Sequence, residues 1–193
     1  RGMSTTDKEL VDDTFRVASL SFAYMDGANS IEQFFSRYGP RGYEFLAYRH
    51  LADLYLSEER YYDAANTLTG FVRSRPAHMQ SPLFLAQVID IYSKGNFPTM
   101  VFEAKKHLVE RYGTGSAYWQ QYDENIRTQL TPVLKTSIAD LAEYYHARAQ
   151  SENDRGEYAQ AAQYYQHYIQ SFPGDPDVPI ELATKRPGQR DEG

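Results

Sequence analysis

The sequence contains no cysteine, which removes disulfide frameworks, thiolate metal sites and thiol nucleophiles together. That absence leaves the compartment open, because cytosolic and exported proteins can both lack cysteine. No apolar run approaches the ~18 residues that a membrane span requires, and no secretory hydrophobic region is visible. The opening Arg1-Gly2-Met3 reads as a segment boundary, so any export signal would lie outside it. Neither sign of charge dominates: 20 basic against 26 acidic residues leave a net charge of −6. This balance argues against an electrostatic grip on nucleic acid or on an anionic membrane.

Aromatic side chains are abundant instead. The 193 residues include 17 tyrosines and 10 phenylalanines, a heavy load for a mean hydropathy of −0.65. The length suits one domain, or one domain plus a fragment of a second. A chain of this size can bury roughly 70% of its unfolded surface, so its core needs no covalent staple.

Apolar periodicity gives the fold class. Leu10, Val11, Phe15, Ala18, Phe22 and Met25 recur three or four residues apart, the stripe of an amphipathic helix over Thr6–Met25. A shorter helix with Ile31, Phe34, Phe35 and Tyr38 follows and ends at Gly39-Pro40. The pattern returns over Phe45–Leu56 and Tyr61–Arg73. It predicts further helices at Pro82–Lys94, Pro98–Tyr112, Ser116–Leu130, Pro132–Ser151 and Tyr158–Phe172. Thr131-Pro132 is expected to cap and open a helix, since proline in the first turn forfeits no hydrogen bond. Alternating strand patterns with Asn-Gly or Asp-Gly turns are missing from the sequence. The expected class is all-α, with about nine helices.

The spacing between helices adds a repeat. Tyr48-x2-Leu51-Ala52-x2-Tyr55, then Tyr61-x2-Ala64-x3-Leu68 and Pro76, returns as Tyr145, Ala149, Gly156, Tyr158, Ala161, Tyr165 and Pro173. Small residues at these places let helices approach closely, and proline stops the second helix of each pair. The sequence resembles the tetratricopeptide repeat family over roughly residues 9–176. The endings GFVRSRP and HYIQSFPGDP are similar to variants in bacterial envelope proteins, including outer-membrane assembly lipoproteins and the Tol–Pal-associated coordinator. The resemblance implies a right-handed superhelix of antiparallel helix pairs, an α-solenoid, spanning residues 5–176. One surplus helix near 116–130 would interrupt the alternation. Residues 177–193, rich in Pro, Gly and mixed charge, read as a disordered tail or a truncated next repeat.

Catalytic constellations are thin. Glu143-x2-His146 matches half of a carboxylate-bridged di-iron site, which needs a second such pair and two further glutamates. The five histidines, at 50, 78, 107, 146 and 167, show no metal-ligand clustering. No Gly-x-Ser-x-Gly and no phosphate-cradling glycine loop occurs. No enzyme activity, cofactor or metal is expected.

The resemblance implies recognition of a protein or peptide segment along the first helices of the pairs. Repeat alignment places Leu46, Arg49, Asp53, Asp90, Lys94, His146 and Gln150 on that wall. Arg49 and Asp53 stand where some family members clamp a C-terminal carboxylate with Lys and Asn, and Asp53 would repel one. Arg49 and Asp53 are also spaced to pair with each other at i,i+4. The expected function is a non-catalytic interaction scaffold, part of a larger bacterial envelope or assembly protein. Periplasm or cell envelope is the compartment this implies. A regulatory or sensor module that binds a peptide or small ligand and switches a partner stays open.

Overall fold

The computed structural model describes residues 5–176, and among these it holds eight α-helices, one 3-10 turn and no strand. The helices are α1 (Thr5–Tyr24), α2 (Ala28–Tyr38), α3 (Glu44–Ser57), α4 (Tyr61–Ser74), α5 (Ser81–Lys94), α6 (Pro98–Tyr112), α7 (Glu124–Glu152) and α8 (Arg155–Ser171). The segment 177–193, expected as a tail or a truncated repeat, lies outside the described residues. Two compact units divide the chain. The first runs to Ala104 and includes Tyr122–Leu130; the second comprises Lys105–Gln121 and the residues from Thr131 onward.

In the first unit the apolar stripes predicted for α3 and α4 face the core, whereas Leu10 and Met25 of the stripe predicted for the first helix, and Phe34 and Tyr38 of α2, are exposed. Tyr48, Leu51, Ala52 and Tyr55 of α3 are buried, as are Ala64, Leu68, Phe71 and Val72 of α4. Side-chain contacts fix the directions of these helices. Glu44, which opens α3, pairs with Arg75 just past the end of α4 at 3.1 Å. One turn further along α3, the Tyr48 ring meets Phe71 edge-on at 5.3 Å. So α3 and α4 run antiparallel. Arg49 donates from Nη2 to Oε1 of Gln80 at 3.1 Å, which sets the start of α5 beside the start of α3. At its far end, Phe97 meets Tyr62 at 6.3 Å, returning α5 to the start of α4. Outside this trio, α1 lies on α3 through Phe15, whose ring stacks on His50 at 5.7 Å.

Successive helices turn by a shared device. Glu59 between α3 and α4, and Asn96 between α5 and α6, both hold φ at 58°. Asn153 does the same in the second unit, between α7 and α8, with φ of 52°. Asparagine tolerates this left-handed conformation; glutamate does so at some strain. Gly95 is required for a different reason. A Cβ there would come within 2.5 Å of the Phe97 ring.

Two expected boundaries are corrected. Residues 116–130 do not form one helix, and no helix starts at Thr131-Pro132. A 3-10 turn at Trp119–Gln121 precedes α7, which runs unbroken through Pro132. Asp123 sets its start, its Oδ1 accepting from the Ile126 backbone N–H at 2.9 Å. Ile126, Leu130, Leu134, Ile138 and Leu141 are all buried, so one apolar stripe continues past the proline. Pro132 itself is exposed and forfeits a single backbone bond, which the stripe outweighs. The start of α8 also moves, from Tyr158 to Arg155, because Asp154 caps it by accepting from Gly156 N–H at 2.6 Å.

In the second unit Ala161, Tyr164 and Tyr168 are the buried residues of α8. Its end is pinned. The Asp175 carboxylate, only 4% exposed, pairs with Lys135 of α7 and accepts a hydrogen bond from the Tyr168 hydroxyl at 3.1 Å.

Candidate functional site

Leu46, Arg49 and Asp53 lie on α3, and Asp90 and Lys94 on α5. His146 and Gln150 lie on α7, in the second unit. The first five share the first unit, and the last two are described in their own unit.

Arg49 does not pair with Asp53. Besides bonding Gln80, its guanidinium lies over the Phe45 ring at 5.2 Å and the Phe84 ring at 5.8 Å. This half-buried cation knits α3 to the start of α5 and is a packing residue of the wall. Asp53 sits one helical turn beyond it on the same stripe of α3. Loss of water around the Asp53 carboxylate raises its pKa above the usual value, with His50 and Arg49 acting in the opposite direction. Asp90 and Lys94 are exposed on a common stripe of α5, and neither takes part in an ion pair among the described residues. Leu46 is half-buried and supplies an apolar element.

The start of α3 carries the unit's principal buried charge. The Glu44 side chain is 4% exposed and faces Arg75, which is 35% exposed. Tyr48 beside them has its hydroxyl pKa pushed up to about 12, mainly by burial. His78, wedged edge-on against Phe71 at 5.1 Å, has its pKa lowered by burial. These groups hold the corner between α4 and α5, behind the stripe that bears Asp53.

Spacing offered no signal for a second feature of this unit. A cleft of about 530 Å³ lies between α2 and α4, lined by Asn29, Glu32, Tyr55, Asp63, Asn66 and Arg73 among others. Its charges are largely committed: Arg60 binds Asp63 at 2.8 Å and lies 4.1 Å above the Tyr55 ring. Arg73 lies 3.6 Å from Glu32.

In the second unit, His146 and Gln150 meet on α7. The Gln150 side-chain nitrogen lies 3.3 Å from Nε2 of His146. The His146 ring stands between Tyr158 at 6.0 Å and Tyr165 at 6.3 Å. Burial, reinforced by Glu143, pushes the Tyr165 hydroxyl up to about 12. Neighbouring Tyr145 stacks flat on Tyr164 at 5.5 Å, so the tyrosine runs pack α7 against α8. No group of three or more His, Cys, Asp or Glu able to hold a metal is present among the described residues.

Comparison with protein-family models, curated proteins and solved structures returns no match for the chain. No helix among the described residues is long and apolar enough to cross a membrane. The α3–α5 face presents an acid on one helix and an acid with a base on the next. An apolar residue and a cation held over aromatic rings lie at its other end. Such a face can hold a segment of mixed polarity by complementary charge and contact.

Proposed function

We propose that the protein is a non-catalytic interaction scaffold of tetratricopeptide type, whose α3–α5 wall holds a segment of a partner protein. The observation that supports this most is the state of the wall's charges. Asp53, Asp90 and Lys94 are exposed and make no hydrogen bond or ion pair among the described residues, whereas Glu44, Arg49 and Arg75 are consumed by packing. Uncommitted charges of both signs on parallel helices favour a mixed polar and apolar ligand over nucleic acid or an acidic tail. His146 and Gln150 extend the proposal to α7 as a separate contact. The resemblance of the helix endings supports reading this scaffold as part of a bacterial envelope or assembly protein.

The polar cleft between α2 and α4 favours a second reading, a sensor module that takes a small ligand there. A peptide selected from a random displayed library separates the two. Under hydrogen–deuterium exchange, the bound peptide is expected to slow exchange in α3 and α5 while α2 keeps its free rate. Protection confined to α2 and α4 would move the site to the cleft.

A further inference from the structure

Exposed large apolar side chains concentrate at the start of the described chain. On α1 and just after it, Leu10 is 68% exposed, Val17 60%, Leu20 43%, Tyr24 91% and Met25 69%. Leu10, Val17 and Tyr24 are seven residues apart and Leu20 lies three past Val17. This is the a/d spacing of a coiled-coil seam. Phe15 and Phe22, whose rings contact Tyr43, His50 and Phe34 of the same unit, fall at the f positions opposite. The helix therefore has two apolar faces, and its own fold uses one of them.

Asp13 occupies the remaining d position of the seam. It is exposed and lies 3.4 Å from Arg16. Covering a carboxylate is costly unless a donor meets it, and this requirement selects the occupant. A parallel second helix would set Asp13 against its own copy, like charge on like charge. An antiparallel copy with Val17 opposite Leu20 sets Asp13 opposite Tyr24, whose phenol is a donor. Two-fold symmetry makes that hydrogen bond twice.

We propose that α1 is a homodimerisation helix, and that two copies of this chain pair antiparallel along Val17, Leu20 and Tyr24, with Asp13 of each copy meeting Tyr24 of the other. In that register Leu10 lies opposite Gly27, past the end of α1, and the exposed apolar side chains that become covered are Val17, Leu20 and Tyr24. Extending the array by an unrelated helix would not require the Asp13–Tyr24 match.

Sedimentation of the whole chain between ~1 and ~200 µM tests the pairing, with dimers expected in the micromolar range. Val17→Glu with Leu20→Glu should weaken association about a hundredfold with helical content unchanged, and Tyr24→Phe about tenfold. The chain lacks cysteine, so introduced thiols report the register. Asp13→Cys and Tyr24→Cys chains should crosslink when mixed, and neither with itself. A monomer throughout the range, a dimer indifferent to the Glu pair, or self-crosslinking of Asp13→Cys would each overturn the proposal.

Discussion

Glu44→Ala is expected to cost about 3 kcal/mol of stability, the largest loss of any single charge in the first unit. The carboxylate is 4% exposed and bonds Arg75 at 3.1 Å. Removing one member of a buried pair leaves the other without compensation, and such losses run to about 3–5 kcal/mol. The 35% exposure of Arg75 lets water reach part of its guanidinium, which places the effect at the lower end. Glu44→Gln keeps an acceptor and should lose roughly half as much. Arg75→Met on top of Glu44→Ala should recover part of the loss, because it removes the stranded charge. Urea unfolding measures all three. A loss below about 1 kcal/mol for Glu44→Ala would mean that the pair contributes little to holding α3 against the end of α4.

Ala64→Leu and Ala161→Leu should each cost about 1–3 kcal/mol. Ala64 is 0% exposed and Ala161 is 3% exposed, so three added carbons have no free volume and must displace a neighbouring helix. Ala162, next in sequence but exposed, is the internal control. Ala162→Leu should shift stability by no more than about 0.5 kcal/mol. Equal melting temperatures for Ala161→Leu and Ala162→Leu would show that helix contact at Ala161 is loose.

These alanines were legible in the sequence because close packing selects for small residues at fixed offsets from tyrosine and leucine. Pro98–Tyr112 was equally legible, since proline opens that helix and the Gly113 turn closes it. Pro132 misled for a physical reason. A proline rule is local, while the stripe from Ile126 to Leu141 spans four turns and outweighs one missing bond. Apolar spacing alone opens α8 at Tyr158, three residues late, because the Asp154 cap contributes no apolar period.

The site was less legible than the fold. An Arg49–Asp53 pair at i,i+4 is the reading that spacing favours. The actual partner, Gln80, is 31 residues away and comes within reach only once α4 has folded back. The Lys135–Asp175 contact and the cleft between α2 and α4 depend on tertiary packing in the same way. By contrast, helical phase alone is enough to set Asp90 and Lys94 on one stripe of α5, where both are exposed.

Because Arg49 is a packing residue, the wall is best probed at Asp90 and Lys94. Asp90→Lys together with Lys94→Glu leaves the net charge at −6, so altered long-range steering cannot explain a change in binding. Both positions are exposed, and each substitution should alter stability by no more than about 0.5 kcal/mol. The decisive measurement is the dissociation constant of a library-selected peptide for the wild-type chain and for this exchanged chain, at equal ionic strength. The scaffold account predicts at least a tenfold weakening, about 1.4 kcal/mol, with the melting curve unchanged. An unchanged constant in a folded exchanged chain would contradict recognition by the α3–α5 wall.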